Sequence, residues 1–295
     1  ALIAQTLTWQ GQSLELQQTP RNIAVYELSA LDTLQALGVN ASIVPDAVFP
    51  ATLTAYNQDK AIKAGSLFEP DVAVLSAQKP DLIIVGGRSK AKQDTVKDLA
   101  PTLDLSPNTD HYMADLQART ELLANTFGKQ AAAAKRLRTI QTKQAKLKAQ
   151  TQGKTALMLF TNKGNFMPHA AGERFGFVYD FAGFKSVLPV VPPKDENAPA
   201  QPRPEAGSLA AEAAKVKAAE RLQAAVNQQP DYLIVLDRGA VNTNEYTAAA
   251  EMQKNAILQQ TKGKVIMVDA NAWYLTGAGL ANTELMLDEL IKATQ

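Results

Sequence analysis

Two stretches of this chain repeat one another residue for residue in pattern. Gln78-Lys79-Pro80-Asp81-Leu82-Ile83-Ile84-Val85-Gly86-Gly87-Arg88 matches Gln228-Gln229-Pro230-Asp231-Tyr232-Leu233-Ile234-Val235-Leu236-Asp237-Arg238. Each reads as the end of a helix, a Pro-Asp turn, an unbroken aliphatic run and an arginine just past it. An aliphatic run without polar alternation suits a strand covered on both faces, as in a parallel sheet flanked by helices. The chain is therefore expected to fold as α/β, and ligands of open α/β sheets bind beyond the carboxyl ends of the strands. Arg88 and Arg238 stand at those ends, and so do Glu27 and Thr161-Asn162. A guanidinium stays charged and its planar fork makes paired hydrogen bonds to carboxylate, phosphate or catecholate oxygens. Two lobes facing each other would aim both arginines at one bound molecule.

The rest of the chain supports that class. Strands are predicted at 22–28, 42–44, 82–85, 155–160, 232–236 and 265–268, each bounded by Gly, Pro, Asn or Asp. Between the third and fourth lies a helical stretch from Tyr112 to Gln150, in which Leu116, Leu123, Phe127, Ala134, Leu137, Ile140 and Leu147 are read as one apolar face, with Gly128 as a break. At about 1.5 Å per residue, Lys129–Ala149 spans about 30 Å, the width of a small domain. The predicted organisation is an N-terminal α/β lobe over 1–128, a connecting helix over 129–152 and a C-terminal α/β lobe over 153–295. Residues 190–207, with Pro192, Pro193, Pro199, Pro202 and Pro204, read as a mobile surface loop, and Ser208 as the N-cap of a helix reaching Ala225.

Composition removes several classes. Lys plus Arg is 30 against 29 for Asp plus Glu, too balanced for a nucleic-acid binder, and nucleic acid is not an expected partner. No cysteine is present, which excludes disulfides and thiolate chemistry. The two histidines, His111 and His169, are far apart in sequence, which disfavours a multi-imidazole metal site; both are read as non-ligating. No apolar run approaches the roughly 20 residues of a membrane span. Ala1 in place of methionine is read as the start of a trimmed chain, its signal or lipid-bearing segment already lost. No Gly-x-Ser-x-Gly, phosphate loop or His-Glu-x-x-His motif occurs, so catalysis is not expected.

A second cluster, Asn271-Ala272-Trp273-Tyr274-Leu275-Thr276-Gly277-Ala278-Gly279-Leu280, follows the last predicted strand. Adjacent polar-tipped aromatics at a strand end are candidates for the wall of a cleft, with Trp273 and Tyr274 as ligand contacts.

Val85-Gly86-Gly87-Arg88-Ser89-Lys90, Glu173-Arg174-Phe175-Gly176, Val235-Leu236-Asp237-Arg238 and Trp273-Tyr274-Leu275 occur in this order, preceded by Leu31-Asp32-Thr33-Leu34-Gln35-Ala36-Leu37-Gly38. Over about residues 15–293 the chain resembles the periplasmic ferric-siderophore-binding proteins of ABC importers, most of all the branch that takes catecholates such as enterobactin and its linear fragments. The resemblance implies two α/β lobes with mainly parallel sheets joined by one long helix, a monomer in the periplasm, bare or lipid-anchored. It implies delivery to an inner-membrane ABC permease and no catalysis. Arg88, Arg174 and Arg238 match the three arginines that surround the anionic iron complex, and Tyr274 matches a tyrosine that can ligate the metal. Fe(III), a hard cation, favours phenolate and catecholate oxygen, and three guanidinium groups come close to neutralising a tris-catecholate. Iron is cargo on this reading, carried as its siderophore complex, with no intrinsic cofactor. Lys90 is a further candidate at the cleft mouth.

The chain departs from the family pattern where several relatives carry an iron-binding histidine, because 185–229 contains no His. Three arrangements stay open: a hexadentate siderophore saturating the metal, Tyr274 binding alone, or a carboxylate such as Glu205 as substitute. Glu69 or Asp71 on one lobe and Glu220 on the other are the candidate permease contacts. Alternative cargoes on the same fold are haem, cobalamin or a hydroxamate siderophore; an enzyme is the minor alternative.

Overall fold

A computed structural model describes residues 3–192, 199 and 201–295. Part of the proline-rich loop predicted at 190–207, including Pro193, lies outside the described residues. The chain separates into two compact units. The N-terminal unit comprises the described chain up to Lys143 together with Leu275–Met286, and the C-terminal unit comprises Gln144–Tyr274 with Leu287–Gln295.

The N-terminal unit opens with a hairpin, β1 (Gln5–Trp9) and β2 (Gln12–Leu16), turned by Gln10 and Gly11 at positive φ. Its main sheet has five parallel strands in the order β5-β4-β3-β6-β7, formed by β3 (Ile23–Val25), β4 (Ile43–Val44), β5 (Ile62–Lys63), β6 (Leu82–Val85) and β7 (Thr102–Asp104). The hairpin meets the β7 edge through Gln12, whose amide donates to Asp104 O at 2.9 Å and accepts from Asp104 N at 2.8 Å. That exchange satisfies an edge strand that would otherwise present free backbone groups. Ile43, Ile83, Val85, Leu75 and Val96 fill one layer of the core.

The predicted strand 22–28 ends early. Helix α1 (Leu28–Ala36) starts there because Glu27 caps it, its carboxylate accepting from Ser29 N and Ala30 N. Helix α2 (Tyr112–Phe127) stops at Gly128, which takes φ 67° in the left-handed region that favours glycine. Helix α3 (Gln130–Thr151) follows, and the division between the units falls inside it. Of the expected apolar face, Leu116, Leu123, Leu137, Ile140 and Leu147 are buried, whereas Ala134 is exposed and its neighbour Ala133 is buried instead.

In the C-terminal unit, β8 (Thr155–Asn162), β10 (Lys185–Ser186), β11 (Tyr232–Asp237) and β12 (Lys264–Met267) run parallel in the order β10-β8-β11-β12. Strand β9 (Asn165–His169) folds back antiparallel on β8. Helix α4 (Leu209–Asn227) is capped by Ser208, whose Oγ accepts from Ala211 N at 3.1 Å. Its Leu222, Ala225 and Val226 pack with Leu157, Leu159, Leu233 and Val235. Helix α5 (Leu280–Ala293) closes the chain. Among the described residues no helix is long and apolar enough to cross a membrane.

Candidate functional site

Register aligns the chemistry in the C-terminal unit. Phe160 of β8 pairs with Leu236 of β11 and Thr161 with Asp237, while Val235 pairs with Met267 of β12. Phe160, Arg238 and the segment beyond Met267 therefore all leave the sheet at its carboxyl edge. Asp237, buried at 3% exposure, shapes the exit of β11 by accepting from Gly239 N, Thr247 N and Ala248 N.

Arg174 arrives on the loop after β9. Glu173 closes that loop on itself, accepting from Ala170 N at 2.8 Å while its own N–H donates to Ala170 O at 3.0 Å. Arg221 of α4 then pairs with both Glu173 carboxylate oxygens and donates to Pro168 O at 3.2 Å. Burial pushes the Glu173 carboxyl up, but the Arg221 hydrogen bond and charge outweigh it and hold the group below its ordinary range. Gly176 is required here, since a Cβ would lie 1.7 Å from Ala170 O. Gly176→Ala is expected to lower stability by about 1–3 kcal/mol through forced backbone displacement, measured by denaturant unfolding.

The rings and guanidinium groups meet at Tyr274. The Arg238 Cζ lies 4.4 Å and the Arg174 Cζ 4.7 Å from its ring centroid, and Arg174 also covers Phe175 at 4.8 Å. Phe160 stacks on Tyr274 at 6.0 Å and on Phe175 at 5.3 Å, and His169 lies 5.5 Å from Phe175. Burial raises the Tyr274 phenol, yet hydrogen bonds and charge from Arg238 and Arg174 bring it below its ordinary value. Burial instead raises Tyr26, Tyr56, Tyr112, Tyr179 and Tyr246. An acid whose folded pKa is lowered gains stability above its unfolded pKa and loses that gain as pH falls through the folded value. Tyr274→Phe should accordingly remove an early-titrating phenolate from the near-ultraviolet absorbance titration. Arg238→Ala should move that phase to higher pH.

The other predicted residues fall as follows. Trp273 was expected in a cleft wall, but it is 3% exposed, stacks on Phe177 at 5.7 Å and donates its indole N–H to Glu289 Oε1 at 2.8 Å. Its neighbour Tyr274 takes the accessible position because the two share a π-helical segment, Ala272–Thr276, on which consecutive side chains diverge. His169 Nδ1 accepts from Phe175 N at 3.2 Å, and burial lowers its pKa, so it serves as a neutral acceptor. His111 and Glu205 are exposed.

In the N-terminal unit, Arg88 and Lys90 occupy the turn at the carboxyl end of β6. Gly86 lets that turn pass, since a Cβ there would come 2.7 Å from Glu27 Cγ and 2.9 Å from Ser106 N. Ser89 Oγ locks it by donating to Tyr26 O at 2.9 Å. Arg88 is half-buried and lines a small cavity with Tyr26, Glu27, Leu28 and Leu67, while Lys90 lines an open depression with Gly87, Ala91, Gln93 and Asp94. Glu27 is no open ligand contact, being engaged as a helix cap. Asp71 likewise caps a short helix through Val74 N, Glu69 pairs loosely with Lys92 at 3.7 Å, and Glu220 is exposed.

Sequence reasoning missed Phe160 and Phe175 as parts of the ring cluster, although Phe175 sits in the Arg-Phe-Gly motif and Phe160 ends a predicted strand. Among the described residues no group of three or more His, Asp or Glu side chains is placed to hold a metal ion. At the ring cluster the Tyr274 phenol presents an oxygen whose lowered pKa favours the phenolate.

Comparison with known proteins agrees with this fold. The ferric-anguibactin-binding protein FatB of Vibrio anguillarum is 29% identical over 298 residues, covering 97% of this chain and 85% of FatB. The petrobactin-binding protein YclQ of Bacillus subtilis is 27% identical over 284 residues, covering 94% of this chain and 83% of YclQ. The crystal structure of the periplasmic catecholate-siderophore binding protein VctP of Vibrio cholerae superposes with a TM-score of 0.78 at 25% identity, covering 98% of this chain and 99% of VctP. The family model for periplasmic binding proteins matches residues 23–266. With most of its length matched in this way, the chain belongs to the periplasmic binding protein family.

Proposed function

We propose that this protein captures a ferric siderophore with catecholate arms, enterobactin or a linear fragment of it among the candidates, and delivers it to an ABC permease from the periplasmic side. The observation that carries the reading is the pair of guanidinium groups from Arg174 and Arg238 gathered on the half-buried Tyr274 at a sheet's carboxyl edge. Such a surface offers forked donors to catecholate oxygens, stacking to planar rings and a phenol of lowered pKa to iron. Arg174, Arg238 and Tyr274 are the ligand surface of the C-terminal unit, and Arg88 with Lys90 that of the N-terminal unit. The relatives named for petrobactin, anguibactin and catecholate siderophores support the cargo class.

Tyr274 is the proposed iron ligand when a siderophore leaves a coordination position open; a hexadentate catecholate needs none. The test is titration of the protein with ferric enterobactin, its linear dimer and a ferric hydroxamate, followed through tryptophan fluorescence. Saturable quenching by the catecholate complexes and none by the hydroxamate is the expected result. Saturation by the hydroxamate alone would overturn the assignment.

A further inference from the structure

Tyr274 owes its place to a short segment whose first turn is gripped from outside. Glu289, in the C-terminal unit's part of α5, accepts from Trp273 Nε1 through Oε1 and from Asp269 N through Oε2, both at 2.8 Å. Asp269 in turn accepts from Ala272 N through Oδ1 at 3.0 Å and from Trp273 N through its carbonyl at 3.1 Å. Tyr246 completes the turn, its hydroxyl accepting from Ala270 N at 3.0 Å. One carboxylate therefore ties the residue that begins the turn to the indole immediately before Tyr274. The indole is also stacked on Phe177, so it cannot rotate without losing both contacts.

We propose that Glu289 is the positioning residue for Tyr274, holding both ends of the turn so that the ring stays within reach of both Arg174 and Arg238. The chemistry calls for a carboxylate, because two donors that approach from different directions need two acceptor oxygens on one side chain. Glutamine keeps one acceptor and alanine neither. Glu289 does not touch the proposed ligand; its effect passes through the backbone and indole, as partners that orient a ligating group do in metal sites.

The binding arm of the test rests on the proposed function, while the geometric arm does not. Crystal structures of ligand-free Glu289→Ala and Glu289→Gln come first. The alanine variant should carry the Tyr274 ring beyond the roughly 6 Å cation–π range of both arginines, and the glutamine variant should keep at least one contact. An unmoved Tyr274 in the alanine variant overturns the proposal. Should that variant fail to fold, Glu289→Leu, which fills the volume and accepts from neither donor, takes its place, and an unmoved Tyr274 there is equally fatal.

A double-mutant cycle with Tyr274→Phe then reads affinity for the ferric complex of the linear enterobactin dimer, which leaves a coordination position open to the phenol. Glu289→Ala should weaken binding about tenfold in the native background and less than about twofold beside Tyr274→Phe, the non-additivity of two groups acting as one. Equal losses in the two backgrounds would reduce Glu289 to general support of the fold and overturn the proposal. Failure of the native protein to bind any ferric siderophore would sink the proposed function, leaving the ligand-free structures to judge Glu289.

Discussion

A protein carrying Arg174→Ala together with Arg238→Ala is expected to bind a ferric catecholate about a thousandfold more weakly than the native chain. Hydrogen bonds to charged groups contribute about 1.5–3 kcal/mol each, and two of them at about 1.4 kcal/mol per tenfold set that scale. The fold should survive, because Arg174 is exposed and Arg238 only half-buried. An unchanged thermal melt beside the lost fluorescence response would separate the two effects. Arg238→Lys should give a smaller loss, since an ammonium keeps the charge without the planar fork. Undiminished affinity in the double alanine variant would show that these cations do not serve the ligand. The same variant should return the Tyr274 phenol toward its ordinary pKa, because the groups that lower it are gone.

The second large effect concerns stability of the N-terminal unit. Arg119 is 1% exposed, and each of its three guanidinium nitrogens donates: Nε to Asp115 Oδ2 at 2.7 Å, Nη1 to Ser29 Oγ at 3.2 Å and Nη2 to Ala278 O at 2.7 Å. Removing Asp115 leaves a buried guanidinium without its counter-charge, and the loss of one partner of a buried pair costs about 3–5 kcal/mol. Asp115→Ala should therefore show a much lower urea midpoint than native, with Asp115→Asn between the two. Arg119→Met, which removes the charge and fills its volume, should be milder than Asp115→Ala. If Asp115→Ala unfolds at the native midpoint, the pair is not holding the unit together.

What could be read in advance follows physical lines. The strands Leu82–Val85, Thr155–Asn162 and Tyr232–Asp237 were legible because unbroken aliphatic runs admit few other placements. Ile62–Lys63 and Lys185–Ser186 were not, because two residues carry no period and exist as strands only by pairing with β4 and β8. The hairpin Gln5–Leu16 had its Gly11 turn in plain view, but its strands are largely polar and resemble loop. Of the site, the Arg-Phe-Gly and Trp-Tyr-Leu motifs led to Arg174 and Tyr274, and the strand repeat led to Arg238. Neighbouring residues in sequence do not announce which of them faces solvent, so Trp273 was placed on the wrong side of its own segment. The Arg221–Glu173 pair joins residues 48 positions apart, a relation that no local pattern records. Glu27 is a similar lesson, since its place at a strand end matched a ligand contact and its short hop to Ser29 and Ala30 made it a cap instead.

The π turn at Ala272–Thr276 makes the aim of the phenol a matter of counting. A turn of this kind holds one more residue than an α turn, and loss of a single residue would swing whatever follows by about 100° around the helix axis. Chain length between Asp269 and Gly277 should accordingly resist change more strongly than the chemical identity of Leu275. A shortened loop would aim the ring elsewhere even with every side chain of the cluster retained.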